Sequence, residues 1–299
     1  MKREHQRSSP RAIRHRRRSR SPHMTMRDQD CVRFLQWALP RLRLRWAGFR
    51  RVRRQLCKRI GRRLRDMKLT DTNAYAAFLE AHPGEWSHLD GLCRVTISRF
   101  YRDRAVFDHL RRAVLPKLAR PDPSGAIRRV RCWSAGCASG EEPYTLAAVW
   151  ECALRGRFPL TVLRIIATDA DARMLARARV GIFAAGSLRD LPAAWIVHSF
   201  DHSGNRYVVR PPLRRLITFR RQDLRRARPA GPLDLVLCRN LAFTYFDDGL
   251  QREVLAHITR RVRPGGALVI GSHERLPAGA AGFVSWEPHL GIYRRTGAG

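Results

Sequence analysis

Phe49, Val52, Leu56, Ile60, Leu64 and Met67 return every three or four positions, the spacing that lines one face of an α-helix. Cationic residues fill most of the intervening positions, so the predicted helix has an apolar stripe and a strongly basic outer face. NAYAAFLEAH and the stretch around Trp86–Leu92 also read as helices, and residues 28–95 are predicted to be all-helical. From about residue 104 the texture changes. AVFDHLRRAVLPKL is predicted as a helix ending near its proline. VRCWSAG (130–136), VLRIIATD (162–169), LITFRRQ (216–222), LDLVLCRN (233–240) and GALVIGS (266–272) read as strands. Between them EEPYTLAAVWECAL (141–154), DARMLARARVGIF and DDGLQREVLAHITRRV (247–262) read as helices. Asp171 is placed to cap the second, and RPGG to stop the third. Such alternation predicts an α/β fold, a doubly wound and mostly parallel sheet preceded by a small all-helical domain. Residues 180–215 break the rhythm: YVVRPPLRRLITF predicts short strands around a Pro-Pro turn, a small β insertion. The expected organisation is a tail over 1–27, a helical domain over 28–95 and an α/β domain over 96–299.

Charge changes this picture in two places. The formal net charge is +34, from 59 basic residues of which all but four are arginine. A GC-rich genome produces such a bias as readily as selection for a polyanionic partner does. Residues 1–23 carry a net +8 in a low-complexity Arg, Ser and Pro segment, which predicts a disordered basic tail. Met24 and Met26 follow it as alternative starts. Residues 41–66 carry a net +11, on the basic face already described. A dense arginine row repels itself, and an acidic partner relieves that repulsion; a merely solvated face is the competing reading. Arg50, Arg53, Arg54 and Arg62 are the substrate-binding candidates on this face. The seven cysteines form no C-x-x-C pair and no metal-ligand spacing, which predicts reduced thiols, a cytoplasmic protein and no metal. No apolar run approaches the roughly 20 residues that span a bilayer, so no membrane insertion is expected. A monomer is expected.

In doubly wound sheets the ligand sits at the carboxyl ends of the strands, at the switch point of the strand order. Those positions are Gly136–Glu142, Asp169–Asp171, Asp223–Leu224 and Arg239–Asn240. Gly136 and Gly140 bracket a turn of small residues, which lets a ligand approach the backbone. No G-K-[ST] follows, which argues against a nucleoside triphosphate. Glu141 at a helix start suits the helix dipole but repels a pyrophosphate, and it can pair with a ligand that carries positive charge. Asp169, at the end of the second strand, is placed to accept hydrogen bonds from ribose hydroxyls. Each acid alone fits ordinary capping or strand termination. Together, in strand order, they fit a cationic nucleoside without phosphate, S-adenosylmethionine.

RCWSAGCASGEEPYTLA, IIATDADARMLARARVGIF, LDLVLCRN, RPGGALVIGSHE and VTISRFYRD (95–103) resemble the CheR family of chemotaxis methyltransferases, in family order over roughly residues 30–295. The resemblance implies a helical N-terminal domain joined to an S-adenosylmethionine-dependent methyltransferase domain. It implies methylation of glutamate side chains on chemoreceptors, with acidic receptor helices as partners. It assigns cofactor contacts to Thr96, Ser98, Arg102, Glu141, Asp169, Asp223, Leu224, Arg239 and Asn240, and it matches Tyr245 to a tyrosine close to the transferring methyl group. Thr96 stands where Asn is usual, Ser98 where Thr is usual, and Tyr101 replaces a Phe. Asp223 holds a position often taken by Asn, His273 precedes Glu274 in place of Ser, and the run from Asn240 to Tyr245 is one residue longer than usual. Family members carry a β-subdomain at the position of the insertion, and some grip a receptor tail with it. A glutamate carboxylate is already ionised near neutral pH, so alignment rather than a general base is required. Arg102 is therefore expected to position the acceptor rather than clamp it. The alternatives are a related enzyme acting on a protein outside chemotaxis and a nucleic-acid methyltransferase. No RNA-binding signature accompanies the positive charge.

Overall fold

A computed structural model describes residues 27–121 and 123–297. The tail expected over 1–27 lies outside the described residues except for Arg27. Ten strands form two sheets: β1 (Arg128–Ala135), β2 (Thr161–Asp169), β3 (Ile182–Ala184), β4 (Phe200–Ser203), β5 (Arg206–Val209), β6 (Ile217–Arg221), β7 (Leu233–Leu237), β8 (Val262–Val269), β9 (Phe283–Glu287) and β10 (Ile292–Arg295). The main sheet runs β6-β2-β1-β7-β8-β10-β9. It is parallel except for β10, which is antiparallel to both its neighbours. The chain steps outward from β1 to β2 and β6, then returns to the other side of β1 to lay down β7. The gap between the ends of β1 and β7 is thus the switch point. Residues 182–209 form the expected β insertion, a three-stranded antiparallel sheet in the order β3-β5-β4.

The period-two alternation of β1 and β7 separates two apolar clusters. Cys132, Leu235 and Leu237 belong to one, with Leu110, Leu146 and Trp150. Trp133 and Val236 belong to the other, which takes in Leu56, Ile60, Leu64, Tyr75 and Leu89 of the N-terminal helices. The apolar stripe read from the sequence is therefore buried together with a face of the main sheet. Contacts near residue 245 hold the two regions together. Arg45 N donates to Tyr245 O at 2.9 Å and Asp247 N to Arg43 O at 2.9 Å. A side chain at Gly48 would run into the Thr244 carbonyl.

Three local features depart from the pattern. The stripe is carried by two helices, Trp46–Phe49 and Arg53–Asp66, because the chain turns at residues 50–52. RPGG does not stop the preceding helix, which ends at Thr259; it lies inside β8, where Gly265 has φ +77° and the pairing with β7 shifts register. Asp171 does cap its helix, accepting from the amides of Arg173 and Met174. Cys31 and Cys57 are not reduced thiols but a disulfide, with Cα atoms 5.9 Å apart. Packing of helix Asp28–Arg41 against helix Arg53–Asp66 brings the two together, and no local spacing signals it. The other five cysteines are free. No helix among the described residues is long and apolar enough to cross a membrane, and no cluster of His, Cys, Asp and Glu among them has the form of a metal site.

Candidate active site

The turn after β1 is shaped by positive φ at Gly136 (+76°), Ala138 (+46°) and Gly140 (+96°). A side chain at Gly136 would collide with Leu241. The amides of Gly136 and Cys137 donate to Thr168 O at 2.8 and 3.0 Å, so the turn is bound to the end of β2. The Asp169 carboxylate completes the junction, accepting from Ala138 N at 2.9 Å and Asp171 N at 2.8 Å. Two backbone donors leave lone pairs free on both of its oxygens.

A cleft opens at this corner, between the strand ends and segment 94–102. Thr96, Ser98, Arg102, Asp169, Asp223, Leu224, Arg239, Asn240 and Tyr245 all line it. Glu141 does not. It is buried at 4 % exposure, and its carboxylate accepts from the Ser139 hydroxyl. The neighbouring Glu142 lines the wall in its place, held by Ser134 Oγ at 2.7 Å and Arg239 Nη1 at 3.1 Å. One residue is about 100° of a helix turn, and nothing local phases the first turn of this helix.

Arg239 is the electrostatic centre of the wall. Its side chain is 2 % exposed and donates to Glu142, to Asp103 Oδ2 at 2.6 Å and to the Arg102 carbonyl at 3.0 Å. Asn240 follows in the left-handed region, φ +55°, with its amide bound by Glu274 Oε2 at 2.8 Å. Glu274 also accepts from Gly271 N and from Thr244 Oγ1, so one buried carboxylate fixes the loop between β7 and the short helix Ala242–Tyr245. Arg102 donates to Ile97 O at 3.0 Å and to Asn240 Oδ1 at 3.2 Å, and it forms no ion pair among the described residues. The Tyr245 ring packs on Phe49 with centroids 4.8 Å apart, and its hydroxyl makes no hydrogen bond among the described residues. Burial pushes its pKa above the ordinary phenol range, so it is a neutral donor at working pH.

The basic row begins one residue after Phe49. Arg50, Arg54 and Arg62 are exposed, whereas Arg53 is half-buried and paired with Asp28 at 3.2 Å. Sequence reasoning missed Glu142, Gln222, Arg225 and Asp90, all on the cleft wall. Glu142 was visible in the Glu-Glu pair. The others have no sequence signal: Asp90 and Arg225 pair across 135 positions, and Gln222 Oε1 has no partner among the described residues.

Residues 96–287 match the family model described as the CheR methyltransferase, SAM binding domain. The chain belongs to the CheR methyltransferase family. It is 30% identical over 248 residues to a probable chemotaxis protein methyltransferase of Rhizobium etli, covering 81% of this chain and 91% of that protein. It is 33% identical over 185 residues to a chemotaxis protein methyltransferase of Listeria monocytogenes, covering 62% of this chain and 67% of that one. It is 34% identical over 221 residues to an uncharacterized 104.1 kDa protein of Rhodobacter capsulatus, covering 73% of this chain but only 23% of that longer protein.

S-adenosylmethionine is the cofactor of this CheR domain, and the cleft suits it. Glu142, Asp169 and Asp223 offer carboxylates to a cationic nucleoside, the Gly136 turn leaves room against the backbone, and Gln222 Oε1 is buried without a partner among the described residues. Burial pushes the carboxyls of Glu142 and Asp169 above the usual range; Arg239 opposes this at Glu142, and the Asp171 and Ala138 amides oppose it at Asp169. Stability from these two groups is therefore full below the unfolded pKa and is lost as pH rises from that value through the raised folded one. Affinity for a cation has the opposite sign, since the cation binds the ionised form. The dissociation constant for S-adenosylmethionine should be several-fold weaker at about pH 5 than at about pH 7.5, with protons released on binding at the lower pH. Calorimetry in buffers of different ionisation heat measures both; proton uptake on binding would exclude these carboxylates.

Proposed function

We propose that this chain transfers a methyl group from S-adenosylmethionine to glutamate side chains of chemoreceptors, forming glutamyl methyl esters. One observation carries the reading: an exposed arginine row starts beside Phe49, which packs on Tyr245 at the acid-lined cleft. An acidic helix lying along Arg50, Arg54 and Arg62 would bring its carboxylates to the Arg102 and Tyr245 side of that cleft. The names of the Rhizobium etli and Listeria monocytogenes relatives support a chemotaxis substrate.

The cofactor supplies an electrophilic methyl group on a sulfonium. The chain's residues supply placement. Thr96, Ser98, Asp169, Asp223, Leu224 and Asn240 hold the cofactor, Glu142 takes the contact expected of Glu141, and Arg239 orients Glu142. The acceptor carboxylate is anionic at neutral pH, with a pKa of about 4.3, and needs no base. Arg102 is tethered to Ile97 O and Asn240 Oδ1, so it attracts the carboxylate from a fixed place without enclosing both oxygens. Tyr245 presents a neutral hydroxyl that can aim one oxygen.

The test is incubation with methyl-tritiated S-adenosylmethionine and chemoreceptor-bearing membranes, followed by base. Volatile tritiated methanol from the receptor band is expected, since esters hydrolyse and N-methyl groups do not. Base-stable label on nucleic acid would contradict the proposal. Reversing Arg50, Arg54 and Arg62 together to Glu should raise KM for receptors by at least ~10-fold at low salt and leave cofactor affinity unchanged. Unchanged receptor KM would remove this row from the substrate site.

A further inference from the structure

Arg225 lies in the loop between β6 and β7 and joins two regions far apart in sequence. Its Nη1 and Nη2 donate to the two oxygens of Asp90 at 2.7 and 2.8 Å. Its Nε donates to Asp223 Oδ1 at 3.0 Å and its Nη2 to Asp223 Oδ2 at 2.6 Å. Both edges of one guanidinium are thus forked on carboxylates, a geometry that lysine cannot reproduce. The side chains are 21% (Arg225), 14% (Asp90) and 21% (Asp223) exposed, so solvent screens the cluster only partly. Burial opposes ionisation of Asp223, and the Arg225 hydrogen bonds outweigh it and hold the carboxyl below its usual range.

Asp90 sits on helix Glu85–Leu92, and that helix is fastened at both ends to the basic helix Arg53–Asp66. Arg63 forks onto Glu85 at 2.9 and 2.6 Å, and Arg59 Nη1 donates to the carbonyls of Leu92 and Arg94 at 2.9 and 2.5 Å. Polar contacts therefore run without a break from the helix bearing the arginine row, through helix Glu85–Leu92 and Arg225, to Asp223 on the cleft wall.

We propose that Arg225 is a positioning residue that fixes Asp223 for the nucleoside end of S-adenosylmethionine and, through Asp90, couples cofactor occupancy to the N-terminal helices that carry the basic row. The inference rests on Asp223 bordering the cofactor, as the functional proposal holds. Because coupling is reciprocal, a cofactor that settles Asp223 also steadies helix Glu85–Leu92, and steadying that helix improves cofactor binding. A charged network in contact does not by itself establish coupling, so a cycle of variants is required.

The experiment uses the full chain, S-adenosylhomocysteine as probe, calorimetry, and amide hydrogen exchange read over residues 85–92. No acceptor is present. In the unaltered protein the probe should slow exchange over 85–92 by about threefold or more. Asp90→Asn, which keeps the shape of the side chain, should abolish that slowing and weaken probe binding by about fivefold. Arg225→Ala and Arg225→Lys should each weaken binding by about tenfold, and the Asp90→Asn/Arg225→Ala double variant by no more than Arg225→Ala alone. Wild-type affinity with retained protection in Asp90→Asn would overturn the proposal, as would additive losses in the double variant. Asp223→Ala separates the two readings. If it leaves binding unchanged, the placement of the cofactor is wrong; if it weakens binding while Asp90→Asn does not, the coupling alone is wrong.

Discussion

Arg239→Ala is expected to lower the unfolding free energy by about 3–5 kcal/mol, the usual consequence of removing one partner from a buried ion pair. The Arg239 side chain is 2 % exposed and contacts the carboxylates of Glu142 and Asp103. Without it Glu142 keeps only the Ser134 hydroxyl, in a position where burial already raises its pKa. The melting temperature should fall by about 10 °C for a chain of this size. The pH dependence identifies the cause. Loss of Arg239 raises the folded-state pKa of Glu142 further, so the deficit should be largest above that pKa and shrink as pH falls and Glu142 takes up a proton. Glu142→Gln added to Arg239→Ala should recover part of the loss at neutral pH, because the neutral amide leaves no buried charge unpaired. Urea unfolding of the single and double variants at several pH values makes the measurement. A deficit below about 1 kcal/mol would place Arg239 among exposed pairs of little consequence.

The second large effect is expected at Asp169. Hydrogen bonds to a charged group contribute about 1.5–3 kcal/mol each, and two accepted from the ribose hydroxyls would correspond to an affinity loss of about 100-fold or more in Asp169→Ala. The same carboxylate also ties Ala138 to Asp171, so a collapsed turn could imitate a lost ligand contact. Asp169→Asn separates the two, since its amide oxygen retains an acceptor. It should keep the melting temperature within a few degrees while still binding S-adenosylhomocysteine at least ~10-fold more weakly. Near-wild-type affinity in Asp169→Ala would remove this residue from the site.

The alternation of strands and helices was legible because each strand of the parallel sheet is a short apolar run between turn residues. Of the ten residues expected at the cofactor and the transferring methyl group, the strand-end rule pointed to Asp169, Asp223, Leu224, Arg239 and Asn240, the family resemblance added Thr96, Ser98, Arg102 and Tyr245, and these nine line one cleft. The tenth, Glu141, missed because period alone does not phase the first turn of a helix whose residues are nearly all buried. The Cys31–Cys57 disulfide and the Asp90–Arg225–Asp223 cluster join residues 26 and 135 apart, and only tertiary packing makes those pairs. The C-terminal hairpin, β9 and β10, was not read at all. Its residues alternate poorly, being exposed or half-buried at most positions. The arginine row was legible as a charge pattern. Its division into exposed Arg50, Arg54 and Arg62 and a paired Arg53 depended on Asp28 arriving from another helix.

A crystal structure of the chain with S-adenosylhomocysteine tests the central claim most directly. The ribose should be bound by Asp169, the adenine should lie beside Asp223 and Leu224, and the sulfur should face the side of the cleft that carries Arg102 and Tyr245. A probe bound away from the ends of β1, β2 and β7, or lying in that cleft with its sulfur turned from Tyr245, would contradict it.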